Sequence, residues 1–214
     1  MESQPVMFRE YAPEDLGSCA RLAKEAWPLR PGIATGIQTD RMMEAWMGGT
    51  VSSSTWAEVA VDEHGIVGVL FGEIKGQPHL RRNRSTLGIE LSLLARGFMG
   101  SFGNLRHALW LMLSFLVTEF KLLVNRPKSD AEITILIVGQ EHRGRGLGKQ
   151  LVDRFVDAAR KAGAKSVSLY TEDQTSNWRF YEAYGFRRVA EFRDTGTSHY
   201  VGKDAKAIIY MLDL

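Results

Sequence analysis

Cysteine is almost absent: Cys19 stands alone in a chain of 214 residues. A single thiol excludes an intrachain disulfide and a cysteine-rich metal site, and it fits a reducing compartment, for which the cytoplasm is the expectation. An excess of one charge is missing too. The 27 Lys and Arg nearly balance 25 Asp and Glu, leaving a formal net charge of +2, so bulk charge gives a nucleic-acid role no support. No hydrophobic run reaches membrane length. In the most apolar stretch, HALWLMLSFLVTEFKLLV, the uncharged core runs only from Ala108 to Thr118 before Glu119 and Lys121 intervene, and a span needs about 20 apolar residues. The opening MESQPVMFREYAPEDL has no basic segment followed by an apolar one, so a secretory signal is not expected. Repeats, low-complexity tracts and long linkers are also missing. What remains is an ordinary globular composition, 44% hydrophobic and 24% charged, with length for one well-filled core.

The pattern along the chain predicts alternating strands and helices. Val6 to Tyr11 reads as a first strand, followed by a helix over APEDLGSCARLAKEAW with Leu16, Ala20, Ala23 and Trp27 at helical spacing. A short helix fits DRMMEAWMG. TWAEVAV, the turn DEHG and IVGVLFGEI then form a hairpin. From about 76 to 130 the pattern changes to an Arg-rich piece and two or three apolar helical segments, the last apolar all round. AEITILIV is the next strand. A helix from about Leu147 to Ala162 follows, with Leu147, Leu151, Phe155, Ala158 and Ala162 as its core stripe and Gly163 as its stop. SVSLYT is a strand, TSNWRFYEAY a short helix closed by Gly185, and FRRVAEF and AIIYMLDL a final strand pair. This order is that of an α/β (mixed α+β) sheet in a single domain, residues 1–214, with an atypical helical insert.

Between AEITILIV and its helix lies VGQEHRGRGLGKQLV, which combines alternating glycines with Arg143, Arg145 and Lys149. Three phosphate-binding patterns can be tested against it. A Walker loop needs glycine where Arg143 stands and Ser or Thr where Gln150 stands, and fails twice. A dinucleotide fingerprint needs Gly-x-Gly-x-x-Gly, whereas Gly144, Gly146 and Gly148 give Gly-x-Gly-x-Gly. The third pattern, Arg/Gln-x-x-Gly-x-Gly/Ala at a strand-to-helix junction, is met by Arg143, Gly146 and Gly148. Free amides and the positive end of a helix dipole favour a diphosphate, and glycines let it come close. The structural alternative is a basic surface turn that caps a helix.

At these residues the sequence resembles the Gcn5-related N-acetyltransferase (GNAT) superfamily. The likeness extends to TILIV, SVSLYT, FYEAYGFRRV and YMLDL, from about Ala131 to Leu214, and says little of residues 76–130. It implies a mixed central sheet whose fourth and fifth strands splay apart, flanked by helices. It also implies acetyl-CoA as cosubstrate, with no metal. The diphosphate would lie on Arg143, Gly144, Arg145, Gly146, Leu147, Gly148 and Lys149. The pantetheine arm would pair with main-chain groups of Ile137, Val138 and Gly139. An amide near Val138 would polarise the carbonyl, and Gly139 fits a bulge. Tyr181 aligns with the family's proton donor to the departing thiolate; the alternative is an aromatic core residue beside Trp178 and Tyr184. Glu132, fourteen residues before Gly146, has the spacing of a base glutamate; the alternative is a solvated acid at a strand start. Where the family often has asparagine, seven residues before the tyrosine, this chain has Gln174, with Asn177 three residues later. Either would meet the pantetheine.

The resulting expectation is direct acetyl transfer to a small-molecule or peptide amine, without nucleic acid. A non-catalytic acyl-CoA-binding sensor or interaction module is the alternative. Cys19 lies on the first helix, away from the site, so a covalent intermediate is not expected. The apolar helices of 105–124 would cover the acceptor side of the cleft, form a homodimer contact or lie on a membrane surface, without spanning it. Arg81, Arg82 and Arg84 would steer an acidic acceptor or be a solvated surface. His142 reads as a surface residue, and His64 has no visible partner.

Overall fold

A computed structural model describes residues 5–27, 36–80, 105–201 and 203–214. Seven strands form one mixed sheet: β1 (Met7–Glu10), β2 (Trp56–Asp62), β3 (Gly65–Ile74), β4 (Ala131–Val138), β5 (Ser166–Glu172), β6 (Arg187–Asp194) and β7 (Ala205–Asp213), in the order β1-β2-β3-β4-β5-β7-β6. The helices are α1 (Leu16–Ala26), α2 (Gly36–Ser53), α3 (Leu105–Asn125), α4 (Leu147–Lys161), α5 (Trp178–Tyr184) and α6 (Thr195–Val201). The hairpin turn forms where expected. Asp62 Oδ1 accepts the amides of His64 at 2.8 Å and Gly65 at 3.1 Å, which reverses the chain between β2 and β3.

Every neighbouring pair is antiparallel except β4 and β5, and this parallel pair is short. It holds only at Ala131–Val167, Glu132–Ser168 and Ile133–Leu169; beyond Ile133 the two strands part. A bulge stands at that point. Phe71 of β3 faces Ile135 while Gly72 faces Ile133, so Thr134 has no partner on β3 and none on β5. The extra residue also moves the side chains to the other face. Ala131 and Ile133 pack with Leu151 and Phe155 of α4, whereas Ile135 and Ile137 pack with Cys19 of α1 and Met47 of α2. An unbroken strand would have kept all four on one face. The expected bulge at Gly139 is therefore corrected. Gly139 lies past the strand end, in phase with the ladder, and donates its amide to Val67 O at 2.8 Å. Gly72 makes the true bulge possible, since a Cβ there would overlap the Phe155 ring and the Glu132 carbonyl.

Three helices differ from expectation for identifiable reasons. On α4 the inner stripe is Leu147, Leu151, Val152, Phe155, Val156 and Ala159, and Ala162 is an exposed cap. The helix buries a wider face than one residue per turn. α2 runs past the Gly48-Gly49 pair because Met43, Met47 and Val51 continue its buried row. α6 was not foreseen, because TGTSHYV carries turn-like residues; the Asp194 carboxylate caps it by accepting the Thr197 amide at 3.0 Å. Of the expected insert, α3 is described, while Arg81, Arg82, Arg84 and any helix before Leu105 lie outside the described residues. Among the described residues no helix is long and apolar enough to cross a membrane.

Candidate active site

The glycine loop connects the open end of β4 to the start of α4. Gly144 and Gly146 have φ of +75° and +80°, where any residue with a Cβ is strained by about 1–2 kcal/mol. Gly146 is the N-cap of α4 and supplies no side-chain acceptor to the first turn. Among the described residues, no protein acceptor meets the amides from Gly144 to Lys149. They cluster at the positive end of a fifteen-residue helix dipole. Gly148 differs from the other two. A Cβ there would stand 3.7 Å from Phe180 and Val138, an ordinary contact, so the chain itself does not require glycine at this position.

The basic side chains around the loop are partly committed. Arg143 Nε donates to Val138 O at 3.0 Å, which ties the loop to the strand end. Lys149 Nζ bonds Asp153 at 2.8 Å and lies 5.7 Å from the Tyr184 ring centre. Burial pushes the Asp153 carboxyl up, but the bonds from Lys149 and the Tyr184 hydroxyl outweigh it and hold the group below its ordinary value. Arg145 is exposed on the outside of the loop.

The register decides which strand groups face the split. Gly139 bonds Val67, and opposed residues in an antiparallel pair exchange hydrogen bonds at every second position. Ile137 therefore points its polar groups at Val69, and Ile135 points at Phe71. Leu136 and Val138 point the other way, across the opening. Of the residues expected to offer main-chain groups, Ile137 and Gly139 are thus committed to β3, and Val138 is open on its amide side. Leu136 was missed, because this alternation is legible only once the register is known.

The two side chains expected to move protons lie on different elements. Tyr181 lies on α5, with its ring 5.2 Å from Phe180, 5.9 Å from Phe186 and 6.0 Å from Tyr210 between ring centres. It is 9% exposed; burial first, and then the neighbouring Tyr210, raise its phenol above the ordinary value. Its hydroxyl makes no hydrogen bond to a described residue. Phe180, next in the chain, closes on the start of α4 and the end of β4 through Gly148 and Val138. Glu132 sits on the other side of the bulge, facing Glu73 of β3 and Ser168 of β5, and its carboxylate pairs with Arg126. At about 3.3 Å per residue it lies roughly 7 Å along the strand from Thr134 and roughly 20 Å from Val138. The pairing with Arg126 was not foreseen.

The remaining candidates fall around this frame. Gln174 is exposed, donates its amide to Glu172 at 2.5 Å and its side chain to Asp173 at 3.1 Å. Asn177 is exposed at the N-cap of α5 and its side chain does not cap the helix. His142, read as a surface residue, is instead half-buried, with Nε2 3.0 Å from Asp62 Oδ2 in the β2–β3 turn. His64 stands 3.4 Å from Glu63. Cys19 is fully buried and its thiol is pushed up to about 12 by that burial, which removes it as a nucleophile. Among the described residues no group of three His, Cys, Asp or Glu could hold a metal ion.

Residues 112–186 match the profile of the Acetyltransferase (GNAT) family. A mycothiol acetyltransferase of Beutenbergia cavernae is 43% identical over 60 residues, which are 28% of this chain and 20% of that protein, so the chain spans about a fifth of that relative's length. Among solved structures, YncA of Salmonella typhimurium with its cofactor acetyl-CoA aligns with 98% of this chain and 94% of its own, at 15% identity and a TM-score of 0.54. The Drosophila melanogaster polyamine N-acetyltransferase, which forms N-acetylagmatine, aligns with 98% of this chain and 100% of its own, at 17% identity and a TM-score of 0.58. The chain shares the fold of these two solved structures.

Proposed function

We propose that the chain is a GNAT-type acetyltransferase, a reading supported by the match over residues 112–186 and by the shared fold, and that it moves the acetyl group of acetyl-CoA directly to a primary amine. A single observation carries the reading: the amides from Gly144 to Lys149, unanswered by any described residue, stand at a helix N-terminus beside a sheet that has opened. The donor set fits a diphosphate, because the amides, Arg143, Arg145 and the helix dipole all favour negative charge. When bound, acetyl-CoA supplies an acyl thioester, already activated toward an amine.

The chain's own groups would then work in sequence along the split. The amides of Gly144 to Lys149 hold the diphosphate, and those of Val138 and Leu136 hold the arm. Gln174 and Asn177 line the β5 side. Since the arm runs from the loop toward the vertex, the polarising amide falls near Thr134 to Leu136, deeper than Val138. Glu132, two residues from the bulge, takes the proton of the attacking amine directly or through water. Tyr181 gives its proton to the departing sulfur, and its raised pKa keeps that proton in place at neutral pH. The acceptor is a small-molecule or peptide amine, and the setting is the cytoplasm. One domain does this work, and the insert of residues 76–130 is its variable part.

The test is calorimetry with acetyl-CoA, followed by free-thiol release over a panel of amines. Binding with release on at least one amine class is expected. No binding overturns the donor site, and binding without release on any amine favours the non-catalytic acyl-CoA sensor. With the amine in hand, Glu132→Gln should depress turnover most at low pH, where an amine of pKa ~10 is least often neutral. A loss independent of pH would leave Glu132 as a strand-start acid paired with Arg126.

A further inference from the structure

Helix α3 turns an apolar stripe outward. Among the described side chains, those facing β6 are polar: Thr118 donates to Asp194 at 3.0 Å, Lys121 donates to Arg193 O at 3.1 Å, and Ser114 and Thr118 are buried. Its outer side is apolar. Leu113 is 57% exposed, Leu116 57%, Val117 45%, Phe120 67%, Leu123 73% and Val124 65%. These are six of the large exposed hydrophobics among the described residues, and they form one stripe. Leu113, Val117, Phe120 and Val124 follow one another at steps of four, three and four, the spacing of a coiled-coil seam, with Leu116 and Leu123 along one flank.

We propose that this stripe is the dimer interface of the protein, covered by α3 of a second copy running antiparallel about a two-fold axis. The spacing is self-complementary. Reversing the helix sets Leu113 against Val124 and Val117 against Phe120, so each layer of the seam pairs a larger side chain with a smaller one. The area agrees. Six such side chains, about half to three-quarters exposed, present on the order of 400 Å² of apolar surface, near the upper range tolerated on a monomer. That is about half of the ~800 Å² per partner of a standard interface, concentrated at its centre, which leaves the rim to the flanking helix surface. A lipid surface suits the helix less well, because an interfacial helix turns its charged face to headgroups, and the polar face of α3 is bound to β6 and α6. The consequence reaches the site. Arg126, one residue past α3, holds Glu132, and Thr118 anchors the Asp194 end of β6, so the interface braces the acceptor side of the split.

The experiment uses the full chain. Sedimentation velocity should show a dimer at concentrations up to ~100 µM, and Phe120→Glu should raise its dissociation constant at least ~10-fold with acetyl-CoA affinity unchanged. Leu123→Lys, at the most exposed position of the stripe, should do the same if Phe120→Glu fails to fold. Register is read from engineered thiols. A mixture of Val117→Cys and Phe120→Cys proteins should form a mixed disulfide dimer on mild oxidation, well above that of either alone. A wild type that stays monomeric, a dimer indifferent to both charge substitutions, or equal cross-linking by Val117→Cys alone would overturn the proposal. Flotation of the wild type with phosphatidylserine vesicles in place of dimerisation would overturn it too.

Discussion

Two tyrosines, the half-buried Tyr170 on β5 and the buried Tyr181 on α5, stand on either side of the same sheet and differ in what their protons meet. Burial first raises both phenols above the ordinary value. Tyr170 donates to Asp194 at 2.5 Å, and Asp194, itself 1% exposed, also accepts the Thr118 hydroxyl at 3.0 Å and the Thr197 hydroxyl at 2.7 Å. Every donor aimed at that carboxylate is answered. Tyr181 answers to nothing described, and neither do the amides of the glycine loop. A closed polar network is a structural device, while donors left open beside a split sheet imply an acceptor that arrives from outside. Density of polar groups does not separate the two regions, but satisfaction does.

The sharpest way to break this comparison is to remove one hydroxyl from each side. Tyr181→Phe keeps the ring and its packing, so acetyl-CoA affinity should hold while turnover falls ~10²- to 10⁴-fold, the usual loss of a proton donor. Because the phenol is held above its ordinary value of 10.0, the wild-type profile should show no descending limb from Tyr181 below that pH. Tyr170→Phe should leave turnover nearly intact and show its effect in stability. Wild-type turnover in Tyr181→Phe, measured where chemistry limits the rate, would make the two tyrosines equivalent.

Next in size is the closed network itself. Asp194→Ala strands the hydroxyls of Thr118, Tyr170 and Thr197 and uncaps α6, which should cost about 3 kcal/mol in urea denaturation, since bonds to a charged acceptor are worth ~1.5–3 kcal/mol each. Acetyl-CoA affinity in the folded fraction should not change. An affinity loss without destabilisation would move Asp194 into the site.

A smaller effect is expected in the loop. Gly146→Val forces a strained φ and obstructs the amides, so affinity should fall by more than tenfold, above ~1.4 kcal/mol. Gly148→Ala meets only ordinary contacts within the chain. If it weakens binding as much as Gly146→Val does, the ligand itself comes against that position, and if it does not, the glycine there is incidental.

These contrasts also explain what the sequence could and could not show. The strands and the loop were legible because alternation, the alternating glycines and the strand-to-helix junction are all local signals, while the splayed pair was implied by the resemblance alone. The bulge was misplaced to Gly139 because the face switch at Thr134 appears only against β3, and AEITILIV reads as unbroken alternation. The open groups of Leu136, the Arg126–Glu132 pair and the Thr118–Asp194 bond depend on register or on residues far apart in the chain. α6 was hidden by turn-like residues that a buried cap overrides. The loop could be placed from the sequence, but which of the neighbouring donors are already committed could not.

The smallest effect concerns a strut rather than a donor. His142 precedes the loop, and its Nε2 lies 3.0 Å from Asp62 Oδ2, while Asp62 Oδ1 holds the amides of His64 and Gly65. The contact fixes the entrance of the loop to the β2–β3 turn. His142→Ala removes no group that meets the diphosphate, so affinity should fall only about fivefold, near 1 kcal/mol, with turnover at saturation unchanged. The same clamp has a pH signature. Burial pushes the Asp62 carboxyl up, but the His64 amide and the His142 ring outweigh it and hold the group below its ordinary 3.8. A depressed carboxylate contributes stability that is present above its unfolded value and lost as pH falls through its folded value. The advantage of wild type over Asp62→Asn in urea denaturation should therefore stay level from neutral pH to about pH 4 and vanish below it. An advantage that instead grows with acid would mean that the ring, and not the carboxylate, sets the strength of the clamp. An affinity loss in His142→Ala as large as that of Gly146→Val would make the clamp part of the donor site.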